Sequence, residues 1–454
     1  MGAVERYADE ICREIRDRQE EIRATLGLNT LYIGGGTPSV LPLPVLHRIV
    51  EALSEVTGVP VGPAAAVCAE GAGGRERGRA AADERKRDQT AADERYEEFT
   101  IEVNPEDIVE RGPEFVLGLL ELGVTRISMG VQSLNDGILR WMNRRHDAAR
   151  ARQAWRIIRG LVPQGVEASQ DLRHPRLRGR CPSVMGGAER SEAVGEAFSP
   201  CGTSVDLIIG VPGMTDEILS ETLKELVSWR PDHISAYQLS IEEGSTLAER
   251  IAAGEEKELP EEECRAQYEM VCRALANAGY EHYEISNWAL PGRRSIHNSA
   301  YWTRLPYVGL GPGAHSLEIR TAAPCLGGYG VHLPESGMDA PCLGGPKEDS
   351  LEGRTATPSG PGAHLPEGGM QRRSWNSKAL SGWTREGEVL TPEEIREERI
   401  MLGLRTADGV EPKLLAKEAK GEGRLPAGLE WNGGRIRISE GDWFIADDII
   451  ANLI

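Results

Sequence analysis

The chain has no apolar run approaching the roughly 18 residues needed to cross a bilayer, and its first twenty residues are charged rather than signal-like. Export and membrane anchoring are therefore not indicated, and the cytoplasm is the expected compartment. A basic stripe with interleaved aromatics is also missing, and a formal charge of −19 repels a phosphate backbone, so nucleic-acid binding is not expected. No CxxC pair occurs. Cys12, Cys68, Cys181, Cys201, Cys264, Cys272, Cys325 and Cys342 lie scattered, which reads as free thiols rather than a disulfide framework.

The 454 residues are enough for one large or two medium domains. Residues 31–40 read LYIGGGTPSV, a strand-like run that breaks into three glycines, where backbone N–H groups can approach an anion or a carboxylate. An ordinary strand-to-helix turn has the same pattern. The amphipathic stretch Glu5–Thr25 feeds this strand, and Leu43–Val56 is the helix after it. Strand-loop-helix units then recur: EFTIEVNP at 98–105 with a helix to Gly123, TRISMGVQS at 125–133 with a helix over Ile138–Leu161, and SVDLIIGVP at 204–212 with a helix over Ile218–Trp229. DHISAYQLSI follows at 232–241. Five strands alternating with helices predict a parallel sheet, doubly wound or barrel-like. A helix over Glu261–Ala278, a strand over Tyr280–Asn287 and a loop-rich stretch, Ser295–His315, complete this part.

Three stretches interrupt the pattern. Residues 59–95 carry AADER twice, 167–203 are rich in Gly, Pro and Arg, and 321–373 repeat APCLGG and HLPExGM. All three are expected to be disordered insertions. Cys325, Cys342, His332 and His364 in the third fit no zinc spacing. The expected division is a core over 1–320, the insertion over 321–373, and a C-terminal unit over 374–454. In that unit, helices at Pro392–Leu404 and Pro412–Ala419 and a hairpin with a short helix over Arg435–Ile450 resemble a winged helix.

Ligands of parallel α/β sheets bind at the C-terminal strand ends. Here those ends carry Gly35, Gly36 and Thr37, then Glu102 and Asn104, then Gln132, with Asp206 in the fourth strand. Such a row suits a polar small ligand, although Glu102 and Asp206 taken singly also read as internal salt-bridge or capping groups.

The blocks LYIGGGTPSVL, FTIEVNPED, RISMGVQSLND, NRRH, VDLIIGVPGMT and ISAYQLSIEEGSTL, with EERIMLGLRT at 397–406, together resemble the radical S-adenosylmethionine (SAM) proteins of the oxygen-independent coproporphyrinogen III oxidase superfamily. HNSAYW at 297–302 is similar to the HNxxYW pattern of its HemW haem-chaperone branch. The resemblance implies a partial (β/α)6 barrel lacking its first strand, with a small C-terminal α+β domain. It further implies that Gly35, Gly36, Thr37 and Glu102 hold SAM, that Gln132 and Asp206 bind its ribose, and that Arg144 binds its carboxylate. His297, Asn298, Tyr301 and Trp302 become candidates for haem contact, with His297 approaching the iron.

Family members carry a CxxxCxxC motif holding a [4Fe-4S] cluster, which is absent from this sequence. The expectation is an N-terminally truncated or mis-started copy, with no metal ligand encoded and an uncovered apolar edge at Leu31–Ile33. The leading functional expectation is a haem chaperone that binds haem and passes it to acceptor proteins. The competing readings are a radical SAM oxidase acting on coproporphyrinogen III and a fragment without function.

Overall fold

A computed structural model describes residues 2–25, 30–62, 96–162, 202–321, 369–379, 381–415 and 425–454. Each alternating run forms a strand: β1 (Thr30–Ile33), β2 (Glu98–Val103), β3 (Arg126–Gln132), β4 (Gly202–Ile209) and β5 (His233–Gln238). These five pair in parallel, in chain order. The sheet curls into a half-barrel, as the family resemblance implies. Tyr280–Asn287, expected as one strand, turns at Ile285 and Ser286 into β6 (Glu281–Glu284) and β7 (Asn287–Ala289). Strand β7 pairs antiparallel with β5, so the order is β1-β2-β3-β4-β5-β7-β6.

Period-2 alternation divides the sheet chemically. Phe99, Ile101, Ile127, Met129, Val205, Leu207 and Ile234 face the helical layer and are essentially fully buried. Against them pack α3 (Leu43–Thr57), α5 (Pro113–Leu122), α7 (Ala148–Leu161), α8 (Asp216–Trp229) and α10 (Glu261–Asn277). The earlier α1 (Ala3–Asp17) and α2 (Gln19–Ala24) pack on α3, and α4 (Pro105–Arg111) follows β2 directly. Local chemistry sets the helix ends. Asp147 and Thr215 cap α7 and α8 through their side chains. Gly123 closes α5 at φ +103°, where an added Cβ would stand 2.8 Å from the Gly62 carbonyl oxygen.

Two helices expected to be continuous are broken, and each break has a use. Glu5–Thr25 divides at Arg18, whose buried guanidinium donates to the Gly309 carbonyl at 2.6 Å and to Ser316 Oγ at 2.9 Å. Ile138–Leu161 divides into α6 (Asp136–Trp141) and α7, with Asn143 at φ +55° between them. That break frees Arg144 from a helical face. The short helix α9 (Thr246–Ala252) follows β5. Ser295–His315, expected as loop, contains α11 (Ile296–Trp302), so HNSAYW lies largely on a helix.

Beyond it, β8 (His315–Thr321), β9 (Gly369–Asn376) and β10 (Arg385–Val389) form an antiparallel sheet in the order β10-β9-β8. Residues 369–373, assigned from sequence to the third insertion, therefore open β9; residues 202 and 203, at the end of the second, open β4. The hearts of all three insertions, with Cys325, Cys342, His332 and His364, lie outside the described residues. Helix α12 (Pro392–Leu404) starts with a capping box between Thr391 and Glu394. Of the helix expected at 412–419, Pro412–Leu415 is a 3₁₀ turn and the remainder lies outside the described residues. The hairpin of β11 (Leu429–Asn432) and β12 (Arg435–Ile438) precedes α13 (Ala446–Ala451). Among the described residues, no helix is long and apolar enough to cross a membrane, and β1 pairs with β2 alone, its Leu31 and Ile33 half-buried.

Leu119 on α5 is fully buried in the main core. Leu119→Ala is expected to destabilise the fold by about 2–5 kcal/mol through lost burial and the cavity left behind. Urea unfolding followed by far-UV circular dichroism reads this as a lower midpoint with an unchanged native spectrum.

Candidate functional site

The inner side of the half-barrel is mostly polar. The residues alternating with the core are Tyr32 on β1, Thr100 and Glu102 on β2, Arg126 and Ser128 on β3, Ser204 and Asp206 on β4, and His233, Ser235 and Tyr237 on β5. They line a cavity of about 540 Å³. Barrel interiors are ordinarily filled by bulky aliphatic residues. A polar lining leaves this one hollow.

Six of the residues singled out from sequence for SAM meet at this cavity: Gly36, Thr37, Glu102, Gln132, Arg144 and Asp206. Asn298, singled out for haem, lines it as well. The glycine loop has a more specific job than opening space. Gly35, at φ +81°, donates its backbone N–H to Glu102 Oε2 at 3.2 Å, and the Tyr32 hydroxyl donates to Oε1 of the same carboxylate. An added Cβ on Gly34 would overlap the Tyr32 ring and stand 2.7 Å from the Glu102 carboxylate. Gly36 has nothing within 4 Å of such a position, which leaves its backbone open to a ligand. Thr37 is tied to the next strand end, its Oγ1 accepting from Asn104 Nδ2 at 3.3 Å.

At the end of β3, a register shift between Gly130 and Gln132 puts Gln132 at φ +64°. A non-glycine residue rarely adopts that conformation, and such outliers cluster at ligand sites. Arg144 follows the α6 break. Its backbone N–H donates to the Leu139 carbonyl at 2.9 Å, and two residues on, His146 is buried with Nε2 3.2 Å from the Val131 carbonyl oxygen and Nδ1 3.6 Å from Glu106 Oε2. Burial holds the Arg144 pKa below its ordinary value, against the pull of Glu106 and Asp206. Asp206 accepts from Ser128 Oγ at 3.2 Å on both oxygens. Burial, followed by the nearby Glu102 charge, pushes its pKa up to about 7, although Ser235, Ser128 and Arg144 act the other way.

Helix α11 connects this cavity to a second one of about 650 Å³, bordered by α1, α3, β1 and the segment 305–315. His297 stacks on Tyr32 with ring centroids 4.8 Å apart, meets Tyr301 edge-on at 4.9 Å, and Tyr301 meets Tyr307 at 4.7 Å. His297, Asn298 and Tyr301 line this second cavity, as does Gly35. Both His297 nitrogens are occupied, Nδ1 by Thr30 Oγ1 and Nε2 by the Tyr301 hydroxyl, each at 3.0 Å. Trp302 is apart from this group. It lines neither cavity, and Arg405 sits over its ring.

Residues 3–226 match the family model described as the radical SAM superfamily. This stretch, just under half of the chain, is similar to a radical SAM domain. Among curated relatives, the heme chaperone HemW of Lactococcus lactis is 29% identical over 288 residues, which are 63% of this chain and 56% of the relative. A mitochondrial radical SAM domain-containing protein 1 of Danio rerio is 32% identical over 223 residues, 49% of this chain and 41% of the relative. The chain thus spans about half the length of the curated relatives it matches. Among solved structures, coproporphyrinogen III oxidase (HemN) from Escherichia coli aligns with a TM-score of 0.53 over 97% of this chain and 82% of its own, at 16% identity. The shared fold is that of a radical SAM barrel with an additional C-terminal domain.

A radical SAM domain implies SAM and a [4Fe-4S] cluster. The cavity fits SAM: two carboxylates, Glu102 and Asp206, and two cations, Arg126 and Arg144, face one polar chamber. The described residues do not fit the cluster. Among them, no group of three or more His, Cys, Asp or Glu side chains is arranged to hold a metal ion; Cys12 on α1 and Cys264 on α10 point their Sγ atoms at the Arg48 and Leu259 backbone carbonyls.

Sequence reasoning missed Tyr32, Thr100, Arg126, Ser128, Ser204, His233, Ser235 and Tyr237. The signal for them was the alternation itself, since every second residue of FTIEVN, RISMGVQ and HISAYQ, Gly130 apart, is polar.

Two outcomes follow. SAM bound beside Asp206 would bring positive charge and ribose hydroxyls, both of which favour the ionised carboxylate, so its binding would release a proton. Affinity measured by calorimetry is expected to fall as pH drops below about 7, and Asp206→Asn is expected to remove that dependence; a flat wild-type profile across neutral pH contradicts it. Gly34→Ala forces Tyr32 away from Glu102 and is expected to weaken SAM binding at least tenfold, about 1.4 kcal/mol, with little change in the far-UV spectrum.

Proposed function

We propose that this chain is a HemW-like haem chaperone, binding haem at α11 and the adjoining apolar cavity and passing it to acceptor proteins, with SAM held in the barrel. Gly36, Thr37, Gln132, Arg144 and Asp206 are the residues that hold SAM in this reading, and Glu102 acts through its bonds to Gly35 and Tyr32 as well as by its charge. Arg144 supplies a fork for the SAM carboxylate, and Asp206 with Gln132 accepts from ribose hydroxyls. SAM, when bound, supplies an electrophilic sulfonium.

The observation that carries the haem reading is the position of HNSAYW. The motif bridges the two cavities, with Asn298 lining both and His297 stacked on the tyrosine that bonds Glu102. The second cavity has a mainly apolar wall that includes Leu31, Ile33, Leu46 and Leu53, with Tyr301 and Tyr307 beside it. Such a lining suits a flat porphyrin with polar edges. His297 reaches an iron once Nε2 leaves the Tyr301 hydroxyl, and burial already holds this imidazole in its neutral, ligating form by lowering its pKa. Trp302 contributes by steadying α11 under Arg405. The relatives named HemW support this reading; the oxidase alternative has only the shared fold behind it.

Titrating the purified chain with haem is expected to give a saturable Soret shift, altered in position by His297→Ala and weakened about fivefold by Tyr301→Ala through loss of one aromatic contact. Absence of any shift in the wild-type chain contradicts the proposal.

A further inference from the structure

The floor of the barrel carries polar groups for which the SAM reading has no use. Thr100 and Arg126 are register partners on β2 and β3, and Ser204 and His233 are register partners on β4 and β5. All four line the cavity, and each is more than nine-tenths buried. Thr100 Oγ1 and Arg126 Nη1 have no hydrogen-bond partner among the described residues. Two unsatisfied polar atoms on adjacent strands facing the same chamber call for an explanation, because buried polar groups are nearly always paired.

The rest of the guanidinium is fixed. Arg126 Nε donates to Glu98 Oε2 at 2.8 Å, and Nη2 donates to the Arg293 and Arg294 carbonyls at 3.2 and 3.3 Å. Nη1 is the nitrogen left for the chamber. Ser204 Oγ lies 2.8 Å from His233 Nδ1, and His233 Nε2 lies 2.7 Å from the Tyr283 hydroxyl. Burial and the Arg126 charge keep this imidazole neutral, so it carries one proton; in the tautomer with that proton on Nδ1, Tyr283 donates to Nε2 and the Ser204 hydroxyl proton is free for the cavity. Thr100 and Arg126 thus present donors at one floor, joined by Ser204 in that tautomer, while Glu98 offsets the Arg126 charge.

We propose that this floor is an acceptor-binding subsite, taking a carbonyl or carboxylate oxygen of a second ligand that enters the barrel beneath the nucleoside position. It does not depend on the haem reading. Its chemistry is that of an oxyanion or carbonyl cradle, with directed donors in a water-poor chamber.

The test is saturation-transfer NMR on the full chain with acetate and with acetamide, comparing the wild type with Thr100→Val, Ser204→Ala and Arg144→Gln. Thr100→Val keeps the side-chain shape, and Ser204→Ala gives a second, milder deletion of a donor; thermal melts report whether each variant is folded. At least one probe is expected to give a saturable signal that persists in Arg144→Gln and weakens about fivefold in Thr100→Val or Ser204→Ala, as for loss of one hydrogen bond. Binding of acetate but not acetamide assigns the subsite to carboxylates, and the reverse assigns it to neutral carbonyls. The proposal is overturned if neither probe saturates, if the signal is undiminished in both floor variants, or if Arg144→Gln abolishes it.

Discussion

The constraint on which this structure depends is strict alternation along β2, β3, β4 and β5. One set of side chains closes under the helices as Phe99, Ile101, Ile127, Met129, Val205, Leu207 and Ile234; the other set, apart from Gly130 and Ile208, is polar and cannot pack dry against itself. A one-residue slip of any strand would exchange the two sets, so the burial that holds the fold together also fixes which residues face the cavity. Stability and site geometry are therefore one arrangement, and the hollow interior is the consequence of placing Glu, Ser, Asp and Arg where aliphatic residues would otherwise fill a barrel.

Glu98 links this interior to α11. It accepts from Ser295 Oγ at 2.9 Å and from the backbone N–H groups of Ile296 and His297 at 3.1 and 3.0 Å, and it is ion-paired with Arg126. Burial opposes its ionisation, yet the Arg126 charge and these donated hydrogen bonds prevail, and its pKa lies below the usual carboxylate range. The helix that carries His297, Asn298 and Tyr301 is therefore anchored at its start to a barrel strand and pressed along its side on Tyr32. A change at the strand ends has a short physical route to α11: from Glu102 to the Tyr32 hydroxyl, and from the Tyr32 ring to the His297 ring.

Much of this was legible in the sequence because the units are local. A strand ending in GGGTP, or one ending in EVNPED, carries both its period and its loop chemistry within ten residues. The residues Gly36, Thr37, Glu102, Gln132, Arg144 and Asp206 could be placed together because parallel strands bring their ends to one side. What could not be read depended on distant partners. The break at Arg18 exists to reach Gly309 and Ser316, nearly three hundred residues away in the chain. Ser128 and Ser235 read as ordinary strand residues until Asp206 is set between them. The Tyr280–Asn287 hairpin looked like one strand because a two-residue turn at Ile285 and Ser286 contains no glycine or proline to mark it. His297 read as an open ligand, because neither Thr30 nor Tyr301 could be seen bonded to its ring nitrogens.

The central claim is that the polar interior is a SAM cavity coupled to α11. Hydrogen–deuterium exchange with and without saturating SAM tests both halves together. The account predicts slower exchange at residues 34–37 and, in the same experiment, at residues 296–302. Unchanged exchange in both segments would contradict the cavity assignment, and protection of the glycine loop alone would contradict the coupling.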